Sequence, residues 1–168
     1  MKLSQKTASK AHRALIFGPP KSGKSLLVGK LAAEFNLLWF DLENGYDVLF
    51  QLPEEQQARI EIISIPDTRS FPIAIQTCLK VIKGSKGKIC EAHGTWNCPL
   101  CTKSGAPMID IELSNLPLDT IVVFDSITQL TNSAIAHITK NQPEDYKLEY
   151  DDWANLGKLM DTFLSHVQ

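Results

Sequence analysis

The 168-residue sequence lacks the features that would place it in a membrane, in an export pathway or on nucleic acid by charge alone. No apolar run approaches the roughly 20 residues that a membrane-spanning helix needs. The basic, polar first residues contain no apolar stretch of a secretory signal, so we expect a cytoplasmic protein with no membrane partner. A net charge of −2 supplies no general attraction to phosphate, so binding of nucleic acid would depend on local patches.

Arginine is scarce, which bears on the kinds of phosphate chemistry that the sequence can support. The three arginines, Arg13, Arg59 and Arg69, form no Arg-rich lid of the kind that a small-molecule kinase closes over its substrate. An Asn-Lys-x-Asp motif for reading guanine is also missing, which disfavours a GTPase. There is no internal repeat or low-complexity tract, and the length and 43% hydrophobic content indicate one globular domain over residues 1–168.

Strands and helices alternate along the sequence, which predicts a mostly parallel sheet with helices on both faces. The predicted strands span residues 13–17, 37–42, 59–65, 108–113 and 120–125. The predicted helices span residues 23–35, 46–52, 72–83 and 126–138. A final helix carries an apolar stripe, interpreted as core packing, of Trp153, Leu156, Met160, Phe163, Leu164 and Val167. Residues 84–107 are rich in Gly, Lys and Cys, interrupt the alternation and predict an insertion.

Residues 18–25, GPPKSGKS, fit the pattern G-x-x-x-x-G-K-[ST] of a phosphate-binding loop between a strand and a helix. A Gly-rich turn lets backbone N–H groups converge on phosphate oxygens, and the helix N-terminus adds partial positive charge. The pattern assigns contact with the β- and γ-phosphates to Lys24 and ligation of Mg²⁺ to Ser25. The residues expected to bind the nucleotide are Gly18, Pro19, Pro20, Lys21, Ser22, Gly23, Lys24, Ser25, Leu26 and Asp125.

Two acidic segments follow predicted strands and complete this site. IVVFDS places Asp125 at the end of a buried strand, where it would hold the same Mg²⁺ directly or through water. DLENG places Glu43 after the second strand, and ligands bind at the carboxyl ends of such strands. Glu43 is therefore a candidate to orient and deprotonate an attacking water, and Asp41 could help to order the metal shell. The alternative for Glu43 is an exposed acid that caps the next helix.

Three of the four cysteines lie within 12 residues, in the sequence CEAHGTWNCPLC. Cys90-x₂-His93 and Cys98-x₂-Cys101 form two short ligand pairs that suit a closed, tetrahedral and structural zinc site. The alternative is a set of free thiols beside a surface histidine. Cys78 lies in an apolar helix and is interpreted as a core residue.

Five lysines flank the Cys/His segment, and Trp96 lies within it; the lysines are Lys80, Lys83, Lys86, Lys88 and Lys103. A basic loop that carries an aromatic residue could contact single-stranded nucleic acid by phosphate binding and base stacking. A solvated face and a protein-docking surface are the alternatives.

The segments IFGPPKSGKS, WFDLENGYD and IVVFDSITQL resemble the three ATP-site segments of the RecA-like recombinase superfamily, above all the phage-encoded RecA-like ATPases with AAA domains. The resemblance covers roughly residues 13–52 and 118–168. It implies a three-layer, RecA-like P-loop NTPase fold and an ATPase in which Glu43 activates water and Lys24 assists catalysis. It further implies homo-oligomers in the host cytoplasm that act in phage DNA recombination or replication, on single-stranded DNA and with other recombination or replication proteins.

The sequence departs from the RecA pattern in two places, and a third stretch bears on contact with DNA. The spacing from Lys24 to Glu43 is 19 residues, which is shorter than in RecA. RecA-like folds place a further strand between the first strand and the Asp125 strand, and we expect a chain truncated at its C-terminus because the sequence ends before it. The stretch that matches the first DNA-binding loop, residues 139–152, carries acids that disfavour phosphate contact, namely Glu144, Asp145, Glu149, Asp151 and Asp152.

Two further functions stay open beside the ATPase. One is a non-catalytic module in which bound nucleotide controls assembly or the recruitment of a partner. The other is a small-molecule kinase.

Overall fold

The computed structural model describes residues 13–143 and 145–167 as strands and helices in alternation. The strands are β1 Asn36–Asp41, β2 Ile60–Ser64, β3 Gly87–Cys90, β4 Met108–Ile111 and β5 Thr120–Asp125. The α-helices are α1 Lys24–Gly29, α2 Glu54–Gln57, α3 Ala74–Ile82, α4 Pro99–Ser104, α5 Ile127–Thr139 and α6 Tyr150–His166. Short 3₁₀ helices span Lys30–Ala33, Tyr46–Gln51 and Leu113–Asn115.

The main sheet has three parallel strands in the order β2-β1-β5. β1 is central, and its last residue Asp41 is level with Ser64 of β2 and Asp125 of β5. The backbone continues this register beyond the strands, because Ile65 N donates to Asp41 O at 3.0 Å and Leu42 N to Asp125 O at 2.8 Å. The carboxyl ends of all three strands therefore form one level edge.

β1 is buried on both faces, which explains its nearly continuous apolar sequence. Leu37 and Trp39 enter a smaller core with Ala32, Leu49 and Leu52, formed with residues of α1 and the following 3₁₀ helices. Leu38 and Phe40 enter a larger core on the opposite face, where α3, α5 and α6 pack. The predicted mostly parallel sheet with helices on both faces is confirmed.

Local signals explain where the helices begin and end. Asp67 Oδ1 accepts the backbone N–H of Ile73 at 2.6 Å and of Ala74 at 3.2 Å, which satisfies free donors at the start of α3. Gly84 has a φ of 69° and ends that helix as predicted. Glycine adopts this left-handed conformation with little strain. A reciprocal capping box between Glu149 and Asp152 begins α6.

The predicted strand over residues 13–17 is wrong. These residues have no strand partner within the described chain, and Leu15 and Phe17 are 69% and 88% exposed. A strand needs a neighbouring strand to pair with. Among the described strands β5 bonds to β1 alone, so residues 13–17 do not pair with its other edge. The expectation that the chain is truncated stays a prediction. The predicted strand over 108–113 does form, as β4, but it pairs antiparallel with β3 in a separate two-stranded sheet.

The apolar stripe of α6 is buried only in part. Leu156 and Phe163 belong to the larger core, where the Phe163 ring packs edge-on to Phe124 at 5.1 Å. Trp153 and Leu164 are 57% and 45% exposed, so core packing was the wrong interpretation for them. Among the helices in the described residues, none combines the length and apolar character needed to cross a bilayer.

Replacing Phe163 by Ala should lower the free energy of unfolding by about 3–5 kcal/mol, because it removes a buried ring that α6 places against β5. The matched control is Phe71→Ala, at a ring that is 54% exposed, with an expected change within about 0.5–1 kcal/mol. Urea denaturation of both variants measures the difference. Equal losses would contradict the assignment of α6 to the core.

Candidate functional site

Residues 18–23 of the predicted phosphate loop join the exposed segment 13–17 to α1 and are themselves exposed, whereas Lys24 and Ser25 form the start of α1. Lys21 and Gly23 have positive φ values of 59° and 83°, which turn the backbone sharply before the helix begins. The Lys24 ammonium folds back over this turn and donates to the carbonyl oxygens of Gly18 at 3.2 Å and Pro19 at 2.9 Å. An ammonium held above a glycine-rich turn is the arrangement that the phosphate-loop pattern predicts.

Ser25 and Asp125 are 100 residues apart in sequence and meet at the carboxyl edge of the sheet. Ser25 Oγ donates to Asp125 Oδ2 at 2.7 Å. Burial raises the pKa of Asp125 above its usual range, and the negative charge of Glu43 raises it further. The hydrogen bond from Ser25 and the positive charge of Lys24 lower it. The structure thus brings the predicted magnesium ligands Ser25 and Asp125 together beside Lys24 and Glu43.

Asp41 supports the turn that carries Glu43. Its Oδ1 accepts the backbone N–H groups of Glu43 and Gly45, both at 3.2 Å, which orders the turn over residues 42–45. Its Oδ2 is buried and has no hydrogen-bond partner among the described residues. Burial raises the pKa of Asp41, and the neighbouring Asp125 and Glu43 carboxylates add to that effect. A buried, unsatisfied oxygen is costly, and a nearby cation with its waters would satisfy it.

The Glu43 side chain lies beside Ser126, a contact that the sequence analysis missed. Ser126 Oγ donates to Glu43 Oε1 and also accepts the backbone N–H of Gln129 at the start of α5. The only sequence signal for Ser126 was its position after a predicted strand and before a helix, which indicates a helix cap and nothing more. Ser126 therefore links the first turn of α5 to the predicted water-activating carboxylate.

The oxygen atoms at this edge suit Mg²⁺, which prefers hydroxyl, carboxylate and water oxygens. Ser25 Oγ and Asp125 Oδ2 could ligate the ion, and the orphan oxygen of Asp41 could accept from its waters. The exposed loop leaves the Lys24 side of the edge open to a polyphosphate. The arrangement can therefore hold a metal–nucleotide complex and place a carboxylate, Glu43, next to it.

Cys90, His93, Cys98 and Cys101 form a second site, since one ligand atom of each lies within 4.8 Å of all the others. His93 Nδ1 lies 3.6, 3.7 and 3.3 Å from the three sulfur atoms. Tetrahedral zinc with ordinary Zn–S and Zn–N bonds requires about 3.6 Å between sulfur and nitrogen ligands. The backbone N–H of Cys101 is the main cause that lowers the pKa of the Cys98 thiol to about 7, whereas burial raises the pKa of the Cys101 thiol to about 12. Thiolates are the ligating form, so it is the donor set and its distances that support zinc. The cluster can therefore hold zinc.

The Cys/His segment packs on the main core and is not a separate appendage. Ile89 and Trp96 belong to the same hydrophobic cluster as Phe40 of β1. Trp96 is only 9% exposed, and its ring lies so close to Gly87 that a Cβ there would overlap it. Stacking of Trp96 on bases, one of the three alternatives for this loop, therefore does not fit the buried position of the ring.

The positive charge around this segment is partly neutralised. Lys86 pairs with Glu112 at 3.1 Å and Lys88 with Asp110 at 3.2 Å across the β3–β4 hairpin. Two of the five lysines that suggested a nucleic-acid patch are thus engaged in ion pairs. Cys78 is fully buried in the larger core, as predicted.

The acidic stretch of residues 139–152 runs into the first turn of α6, and one of its carboxylates there has a structural role. Asp152 accepts from the Tyr146 hydroxyl at 2.5 Å and from the Glu149 backbone at 2.9 Å, so it orders the start of the helix. Arg69 donates to the Pro143 carbonyl at 3.2 Å and holds the same stretch. Glu144 lies outside the described residues.

Comparison with known proteins identifies one family. A family model described as an AAA domain matches residues 10–168, which is nearly the whole chain. The search of curated proteins and the search of solved structures each found no match.

Replacing Gly87 by Ala should destabilise the protein by about 1–3 kcal/mol, because the new methyl group would overlap the Trp96 ring. The matched control is Gly157→Ala in α6, where a Cβ would meet nothing within 4 Å, and where we expect a gain of about 0.5–1 kcal/mol. Urea denaturation followed by circular dichroism compares the two. If Gly87→Ala were as stable as the control, Trp96 would not pack on the core.

Proposed function

The chain belongs to the AAA domain family, and we propose that it binds ATP with Mg²⁺ and hydrolyses it to ADP and phosphate. The observation that carries this proposal is the contact of Ser25 with Asp125 directly beside Glu43. A phosphate loop alone binds nucleotide, whereas a nearby carboxylate can also activate water.

The proposed mechanism assigns one task to each side chain. Backbone N–H groups of the loop and the Lys24 ammonium bind the phosphate oxygens, and Ser25 and Asp125 would hold the metal. Bound Mg²⁺ would neutralise the charge that develops on the phosphates. Glu43 accepts a proton from the water that attacks the γ-phosphorus, as the bond from that phosphorus to the β–γ bridging oxygen breaks. Ser126 holds the Glu43 carboxylate, and Asp41 holds the turn that carries it.

We further propose that the chain is a RecA-like phage ATPase that assembles as a homo-oligomer and acts in recombination or replication in the host cytoplasm. The three ATP-site segments of the sequence support this, because they resemble those proteins. Contact with single-stranded DNA and with other recombination proteins belongs to the same proposal. The buried Trp96 and the paired lysines Lys86 and Lys88 direct the search for a DNA contact away from the β3–β4 hairpin.

Changing Glu43 to Gln should lower ATP turnover about a hundredfold or more and leave nucleotide affinity nearly unchanged, because the carboxylate activates water and does not bind phosphate. Lys24→Ala should instead weaken nucleotide binding. Turnover is measured by phosphate release with and without single-stranded DNA, and affinity by titration of a fluorescent nucleotide.

The matched control for this experiment is Glu55→Gln, which removes an exposed carboxylate of α2 and should leave turnover unchanged. Stimulation by single-stranded DNA would support the recombinase proposal. Binding without turnover in the unaltered chain would refute hydrolysis and favour a nucleotide-controlled assembly module. Transfer of phosphate to a small molecule would favour a kinase.

We propose that Cys90, His93, Cys98 and Cys101 hold one Zn²⁺ in a closed, structural site. The supporting observations are the Cys₃His donor set and its tetrahedral spacing. Four protein ligands leave no open position for a substrate, so the ion would have a structural role and take no direct part in the chemical step.

Purified protein should contain one zinc per chain, and Cys101→Ser should abolish stoichiometric binding and lower the melting temperature. The control is Cys78→Ser, which alters a buried thiol outside the cluster and should keep the zinc while lowering stability. Elemental analysis and a chelator assay measure the metal. Zinc retained at full stoichiometry by Cys101→Ser would contradict the proposed ligand set.

A further inference from the structure

We propose that the turn of residues 90–94 in the Cys/His segment braces the carboxyl edge of the main sheet, so that metal occupancy controls the position of Glu43. The effect on turnover rests on the proposed ATPase function. The packing of residues 90–94 against the sheet edge can be tested without measuring any activity.

The first step is a close contact between the turn of residues 90–94, called the metal turn below, and Ile65, the residue that follows β2. A Cβ built on Gly94 would lie 2.7 Å from the Ile65 Cα, so only glycine permits this approach. The φ of +60° at Gly94 also favours glycine. The turn and the strand end are therefore in direct backbone contact.

Thr77 of α3 holds the turn in this position. Its hydroxyl donates to the Gly94 carbonyl at 3.1 Å, and Thr77 is only 2% exposed. A buried hydrogen bond of this kind fixes both partners, because breaking it leaves a carbonyl unsatisfied away from water. Gly94 is thus held by Thr77 on one side and by Ile65 on the other.

The second step leads from Ile65 to the candidate site through two consecutive hydrogen bonds. Ile65 N donates to the backbone carbonyl of Asp41 at 3.0 Å. The Asp41 carboxylate in turn accepts from the Glu43 and Gly45 backbone, which orders the turn carrying the predicted water-activating residue. A displacement of Ile65 would therefore reach the Glu43 turn without passing through the phosphate loop.

The third step is the role of the metal. Cys90 and His93 are two of the four proposed ligands, and they lie at the base and at the end of the turn that presents Gly94. Within the turn, Gly94 N donates to Cys90 O at 2.8 Å. Ligation would fix both ends of this turn relative to Cys98 and Cys101. Loss of the ion would free His93, which is exposed, and with it the adjacent Gly94.

The test uses Thr77→Val, which removes the hydroxyl that holds Gly94 and keeps the side-chain size and all four ligands. The matched control is Thr139→Val, which removes a hydroxyl bonded to Ile135 O inside α5. We expect Thr77→Val to exchange the amide hydrogens of residues 42–45 and 65 faster than the control. We also expect ATP turnover to fall about two- to thirtyfold, the range found for residues between coupled sites, with nucleotide affinity unchanged. Zinc is measured in both variants.

A second arm uses the unaltered chain, stripped with a chelator and refilled with Zn²⁺ alone. Stripping should speed exchange at residues 42–45, and refilling should restore it. Loss of zinc from Thr77→Val would also support the coupling, because linkage between two sites is reciprocal. Unchanged exchange at residues 42–45 in both Thr77→Val and the stripped protein would overturn the proposal. If the unaltered chain has no turnover, the ATPase proposal fails, and the exchange data still decide on the brace.

Discussion

The parallel pairing of β1 with both of its neighbours is the constraint on which the rest of the structure depends. It brings Asp41, Ser64 and Asp125 to one level, so these three residues lie side by side at a single edge although they are far apart in sequence. Hydrogen bonds continue past the strands and carry the same register into the turn of Glu43 and toward α5. Parallel strands are covered by crossover segments on both faces, which leaves the carboxyl ends of the strands as the place where polar groups can gather.

Without a cation, assembly of that edge is energetically unfavourable. Asp41 and Asp125 are partly or fully buried side by side, and burial raises the pKa of each. Carboxylates that lose water need partners, and one Asp41 oxygen has none among the described residues. A divalent ion with its waters would supply the partner that Asp41 lacks and would offset the charge of both acids. The edge alone is therefore unfavourable, and binding of a metal–phosphate complex would relieve it.

Sequence patterns predicted best what depends on local chemistry. The bounds of β5 were predicted in full, because an apolar run that ends in an acid has few other structures open to it. The metal cluster was predicted from ligand spacing alone, since two short pairs of soft ligands are rare by chance.

The predicted strand over residues 13–17 failed because a strand forms only when a second strand lies beside it. The local sequence of residues 13–17 carries no information on whether such a neighbour is present. The interpretation of Trp96 as a base-stacking residue failed for a related reason. The ring is buried in the space above Gly87, and that space exists only once β3 and β4 have paired. Ser126 gave no signal beyond its capping position, and its contact with Glu43 depends on the pairing of β1 with β5.

The Cys/His segment is too small to be independent of the main fold. A two-stranded hairpin is marginal by itself, and β3 and β4 have four residues each. The apolar residues that it contributes to the larger core order it in part. A ligated ion, worth about 10 kcal/mol or more in small zinc modules, would supply the rest. Ile89, Trp96 and Ile111 belong to that core together with Phe40, whose neighbour Asp41 ends β1. A segment that shares its packing with the central strand cannot loosen alone, because interiors are close-packed and transmit small shifts. The proposed coupling between the metal turn and the carboxyl edge of the main sheet thus follows from the low stability of the β3–β4 pair on its own.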